Sequence, residues 1–144
     1  MRIDFSLYYQ PKPKQLIAHK CRAKYMLFGG ALGGGKSYFL CAEAIKNAMK
    51  FKGNRLVLVR KELSVLRRTT LVTFFSICPK EIIKSFNQTS LEVTFINDSK
   101  LLFLDANIAK DPMLQKIKGL EIGWFGIDEA NEVSVEVYNM LKTR

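Results

Sequence analysis

At 144 residues the chain has the length of one domain with room for one sizeable core, and 48% apolar against 25% charged residues is a globular balance that excludes wholesale disorder. The 23 Lys and Arg residues outnumber 13 Asp and Glu, so the formal charge is +10; that excess either serves solubility or favours a polyanionic partner, nucleic acid first. Cys21, Cys41 and Cys78 form no C-x-x-C pair, Met1–Gln10 lacks the basic start and apolar core of a signal peptide, and no apolar run approaches the ~18 residues of a membrane span. These features set aside a zinc site, a disulfide framework, export and a membrane partner, and predict a soluble chain in a reducing cytosol.

In chain order, residues 1–24 read as a lead-in in which aromatics mix with Pro11, Pro13 and basic residues, with a short helix expected near Gln15–His19. Residues 25–144 read as the core domain. Its entry, Lys24–Phe28, is a short apolar run ending at Gly29-Gly30, the pattern of a buried strand that stops in a glycine loop. Ser37–Lys50 carries Phe39, Leu40, Ile45, Ala48 and Met49 at mostly helical spacing, with Gly53-Asn54 beyond it as a stop signal. Arg55–Arg60 encloses an aliphatic run between charges, as a parallel strand covered on both faces does. Glu62–Phe75 is expected to be one helix, while Leu91–Phe95 and Lys100–Leu104 flank Asn97-Asp98-Ser99 like a β-hairpin. Gly123–Ile127 is expected as a strand leading into Asp128-Glu129, and Val133–Leu141 as a helix. Strands alternating with helices predict an α/β domain with a largely parallel sheet.

Gly30, Ala31, Leu32, Gly33, Gly34, Gly35, Lys36 and Ser37 satisfy G-x-x-x-x-G-K-[ST] between an expected strand and an expected helix, the context a phosphate-binding P-loop requires. Glycines let successive backbone N–H groups turn inward around a phosphate, and the following helix adds its positive N-terminal end. Lys36 is then placed to reach the β- and γ-phosphates of ATP, and Ser37 to give its hydroxyl to Mg²⁺. Trp124–Ile127 followed by Asp128-Glu129 reads as the second half of such a site, a Walker B segment. The C-terminal end of a strand opens onto the ligand crevice, so Asp128 reaches the Mg²⁺ beside Ser37 and Glu129 polarises the water that attacks the γ-phosphate. That adjacent Glu suits a motor ATPase; a small-molecule kinase has no use for it.

Three stretches, Gly29–Ser37, Leu56–Lys61 and Lys118–Ala130, together resemble phage terminase large subunits, and the resemblance spans nearly the whole chain. It implies an ASCE/RecA-like P-loop NTPase fold and an ATPase that couples hydrolysis to threading double-stranded DNA into a procapsid. The partners implied are DNA, a portal protein, a small terminase subunit and copies of the chain in a ring, in the host cytoplasm and transiently at the procapsid portal. Within the family's pattern, Gln15 corresponds to an upstream adenine-contacting glutamine, with Gln10 the alternative; a glutamine amide can both donate to and accept from an adenine edge. Arg60, at the crevice end of its strand, contacts phosphate or senses the nucleotide, or is a solvated strand-end arginine. Arg67, Arg68 and Lys61 either touch DNA backbone or form a solvated face. Arg144 resembles in position an arginine that reaches a neighbouring subunit's nucleotide. His19 has no ligand-spaced partner and receives no role, and Trp124 and Phe125 read as core residues of the sheet.

The chain departs from the family in two places. Ala31 and Leu32 stand where many members carry a basic residue, and the sequence ends at Arg144, before the coupling motif and nuclease domain that the family adds. A fragment is therefore expected, with an unpaired edge at or next to the Walker B strand and a loosely held Arg144. Two other functions fit the same motifs. One is a helicase-like or other nucleic-acid-dependent P-loop ATPase; the other is a non-catalytic nucleotide-binding remnant.

Overall fold

The computed structural model describes residues 2–30 and 35–144. Its centre is β1 (Arg55–Arg60), whose Leu56, Val57, Leu58 and Val59 are all buried because both of its faces are covered. Leu56 and Leu58 join one apolar cluster and Val57 and Val59 join another, the two-fold alternation of a strand. On one side β1 pairs in parallel with β4 (Lys100–Asp105), and on the other with β5 (Trp124–Ile127). Beyond β4, the strands β3 (Glu92–Phe95) and β2 (Ile83–Asn87) complete a five-stranded sheet of order β2-β3-β4-β1-β5.

The expected largely parallel sheet is thus a mixed one. β2, β3 and β4 run antiparallel because the connections between them are tight turns, which cannot make the long crossover a parallel pair needs. The expected hairpin over Asn97-Asp98-Ser99 forms, with Asp98 at φ +67° in the turn. β2 has no counterpart among the expected elements: Ile83-Lys-Ser-Phe-Asn87 lies at the sheet's outer edge and is mostly exposed, so it carries little apolar signal.

One face is covered by α2 (Lys36–Lys50), α3 (Leu63–Arg68) and α4 (Thr70–Ile77). Ala42, Ala44 and Ala48 of α2 are almost wholly buried, and these small side chains let the helix lie close to Leu56 and Leu58. At Gly126 in β5 an added Cβ would stand 2.6 Å from Leu40 Cδ1, so the absent side chain is what admits α2 there. Phe74 of α4 fills the rest of this layer, with its ring edge-on to Phe95 and Phe103. The opposite face is closed by α5 (Gln115–Lys118) and α6 (Val135–Lys142) through Ile117, Val137 and Leu141. α1 (Pro13–His19) packs against α2, and His19 gives it a firm attachment: Nδ1 meets Glu43 Oε1 at 2.5 Å and Nε2 meets the Tyr9 hydroxyl at 2.9 Å.

Two further expectations are corrected. Glu62–Phe75 is not one helix but α3 and α4, broken at Thr69 with φ −120° and ψ −71°. Lys24–Phe28 joins no ladder, and Tyr25, Met26 and Leu27 are exposed. Apolar composition alone does not make a strand, which needs a neighbour's N–H and C=O groups in register. This segment is instead held by side chains, Phe28 against Phe39 of α2 and Tyr25 beside Tyr138 and Lys142 of α6. It and β5 both line an open groove, and β5 ends the sheet among the described residues. For that reason Trp124 and Phe125 are half-buried and not enclosed in the core.

Candidate functional site

The C-terminal ends of β1 and β5 and the N-terminal end of α2 meet at one point. The parallel register carries Arg60 and Asp128 out of neighbouring strands on the same side of the sheet, and the Asp128 N–H donates to the Val59 carbonyl at 2.8 Å. Asp128 is only 3% exposed. Its carboxylate is held by donors from three elements. Ser37 Oγ, from the first turn of α2, lies 3.0 Å from Oδ1 and 3.1 Å from Oδ2. Thr70 Oγ1, at the start of α4, donates to Oδ2 at 2.7 Å. Arg60 Nη1 reaches the same Oδ2 at 3.4 Å and donates more closely, at 2.9 Å, to Thr69 Oγ1. The Arg60 side chain is 11% exposed and its buried Nε has no partner among the described residues, so it is not the solvated strand-end arginine that was one of its expected roles.

Lys36 Nζ donates to the Gly30 carbonyl at 2.8 Å, so the lysine side chain folds back toward residue 30. Of the expected loop residues, Ala31, Leu32, Gly33 and Gly34 lie outside the described residues. Gly35 caps α2 in a left-handed conformation, φ +72°, and a Cβ there would collide with the Gln15 amide. Gln15 is buried: its Oε1 accepts the Lys12 N–H at 2.7 Å and its Nε2 donates to the Gly35 carbonyl at 2.7 Å. The expected adenine contact is therefore also a brace between the lead-in helix and the end of the loop.

Next to Asp128, Glu129 sits at φ +53° and ψ +58°, a left-handed conformation that costs a non-glycine residue about 1–2 kcal/mol. Glu129 lines a cleft of about 540 Å³. Lys36, Ser37, Gln15 and Gln10 also line that cleft, so both glutamine candidates stand at the same place. Tyr8, Tyr9, Tyr38, Thr73 and Ile77 line it too, and sequence reasoning singles out none of them. Tyr38 follows Ser37 directly and Tyr8-Tyr9 precede Gln10, but an aromatic next to a motif reads equally well as core.

The donor set suits a hard divalent cation. No group of three His, Cys, Asp or Glu side chains capable of caging a metal occurs among the described residues. One hydroxyl and one carboxylate are what Mg²⁺ takes when phosphates and water supply its other ligands. Arg144 lies apart from this cluster. Its Nη1 donates to the Lys118 carbonyl at 2.9 Å and its own carbonyl accepts the Ile122 N–H at 3.2 Å. The terminal arginine is tied to the α5–β5 connection and not loosely held, contrary to expectation. No helix among the described residues is long and apolar enough to cross a membrane.

The described fold is similar to that of a large terminase from a thermophilic bacteriophage, with a TM-score of 0.71 at 18% sequence identity. The likeness covers 94% of this chain and 36% of that one, so this chain spans about a third of the length of that terminase. No curated protein matches. The family model of the phage terminase large subunit matches residues 22–144, from the end of the lead-in through both halves of the site. With that match over most of its length, the chain belongs to the phage terminase large subunit family.

Proposed function

We propose that this chain is a P-loop ATPase of the ASCE/RecA-like type that binds and hydrolyses ATP within a DNA-packaging motor. The observation that carries the reading is the convergence of Ser37 and Asp128, 91 positions apart in sequence, at 3.0 Å beside a cleft that Lys36 and Glu129 also line. Lys36 leaves the Gly30 carbonyl for the β- and γ-phosphates, which offer it full negative charge in place of a neutral acceptor. Ser37 and Asp128 would hold Mg²⁺, whose chemistry there would be to neutralise phosphate charge. Glu129, which lines the cleft, accepts the proton of the attacking water. Gln15 retains one N–H and one lone pair for an adenine edge, and Tyr8 and Tyr38 offer ring faces to the base. Arg60, drawn to Asp128 by charge, is the group that registers the arrival of a cation or phosphate at that carboxylate.

The test is nucleotide binding and turnover. Wild type should bind Mg·ATP, Lys36→Ala should lose that binding with its fold intact, and Glu129→Gln should keep it while losing roughly 10²-fold or more of turnover. Unchanged affinity in Lys36→Ala would remove the site assignment. Binding without any wild-type turnover would identify a non-catalytic nucleotide-binding chain instead.

Family membership supports double-stranded DNA, a portal, a small terminase subunit and a ring of like chains as partners. Arg67 and Arg68 are exposed on α3, while Arg60 is turned inward to Asp128. Duplex DNA should therefore bind independently of sequence, with log affinity falling by roughly 0.9 per phosphate contact per log unit of salt. Arg67→Ala with Arg68→Ala should lower that slope by up to roughly 2 in a filter-binding or anisotropy titration. A slope unaffected by the pair would clear α3 of DNA contact, and duplex unwinding without portal binding would favour a helicase-like ATPase.

A further inference from the structure

We propose that Thr70 is a positioning residue for the Asp128 carboxylate, and that the break between α3 and α4 exists to bring it there. The inference rests on Asp128 being the cation-holding group of the proposed site. Thr70 is wholly buried, and its hydroxyl makes the shortest of the side-chain bonds to Asp128, 2.7 Å to Oδ2 against 3.0 and 3.1 Å from Ser37 and 3.4 Å from Arg60. The distribution of donors is uneven. Oδ2 receives Thr70, Arg60 and part of Ser37, whereas Oδ1 receives Ser37 alone among the described residues. Thr70 thereby commits one oxygen to the protein and leaves the other, on the Ser37 side, with lone pairs to spare.

The chain arranges this by interrupting a helix. Threonine hydroxyls compete with backbone groups, and two adjacent β-branched residues are poor helix interior. Thr69 spends its hydroxyl on the Val65 carbonyl at 2.6 Å while accepting from Arg60, and Thr70 begins the next helix with its hydroxyl turned to Asp128. An unbroken helix over Glu62–Phe75 would not present both hydroxyls to one ion pair, since adjacent helical residues face directions about 100° apart. The Thr70 backbone is fixed as well: its carbonyl accepts from Cys41 Sγ at 3.7 Å, and burial together with the nearby Asp128 charge pushes the Cys41 thiol well above its ordinary pKa.

The experiment compares Thr70→Val, which removes the hydroxyl at nearly constant volume, with Thr70→Ser, which keeps it. ADP affinity is measured with Mg²⁺ and again with EDTA. Thr70→Val should weaken binding about tenfold in Mg²⁺ and less than about twofold in EDTA, the size expected from one hydrogen bond to a charged group, and Thr70→Ser should restore it to within about threefold. Equal losses in Mg²⁺ and EDTA, no loss, or failure of Thr70→Ser to rescue would overturn the proposal. Asp128→Asn separates the two readings: if it too leaves the Mg²⁺-dependent affinity intact, the site assignment fails, whereas loss there without loss in Thr70→Val rejects only the role of Thr70. A double-mutant cycle between Thr70→Val and Asp128→Asn, read by urea unfolding without nucleotide, should show coupling between the two positions; additive effects would also overturn it.

Discussion

Asp128→Ala is expected to cost about 3–5 kcal/mol of folding stability in the absence of any nucleotide, in addition to its effect on the site. Among the described residues the carboxylate is the only acidic partner of Arg60, and both side chains lie almost entirely out of water. Truncating the acid leaves a guanidinium that already has an unpartnered Nε, and it leaves Thr70 without its acceptor. Removing both charges should be milder than removing one, because an apolar side chain at 60 needs no counter-charge. Arg60→Met in the Asp128→Ala background should accordingly recover at least half of the loss. Urea midpoints of the single and double variants measure this. A cost below about 1 kcal/mol for Asp128→Ala would mean the pair is held as a surface pair is.

Phe74→Ala should cost a comparable 3–5 kcal/mol, for a different reason. Phe74 is fully buried and sits edge-on to Phe75, Phe95 and Phe103, so its removal opens a cavity where α4 meets β3 and β4. Val72, on the same helix but 60% exposed, should tolerate alanine within about 0.5 kcal/mol. Because Phe74 lies one turn after Thr70, the variant should also loosen the Thr70 hydroxyl from Asp128 and weaken Mg²⁺-dependent nucleotide affinity before the domain unfolds. Thermal melts and ADP titrations on the one variant test both effects. Phe74→Ala with lowered stability but unchanged Mg²⁺-dependent affinity would show that α4 is held at its start without help from its core-facing side.

The sequence by itself determined the elements whose signal is local. α2, β1, β5 and α6 follow from apolar period and bounding charges, and the hairpin from Asn97-Asp98-Ser99, since each depends on residues within a few positions of one another. Lys36, Ser37, Asp128 and Glu129 could be singled out by residue type and spacing alone, and the fold brings two of them, Ser37 and Asp128, within hydrogen-bond reach. What lay beyond reach was set by partners distant in the chain. Lys24–Phe28 has the composition of a strand, but ladder pairing depends on a neighbour in register, and among the described residues this segment joins no strand. The split of Glu62–Phe75 into two helices is decided by Arg60 and Asp128 drawing on the Thr69 and Thr70 hydroxyls, and Asp128 is 58 positions from Thr70. Gln15, with Gln10 as the alternative, is picked out by the family resemblance, yet only the fold shows both its amide heteroatoms bracing Lys12 and Gly35. Hydrogen bonds to a buried carboxylate are chosen by whichever donors the packed elements deliver, and in a mixed sheet that delivery is a property of strand order and register, neither of which any single segment encodes.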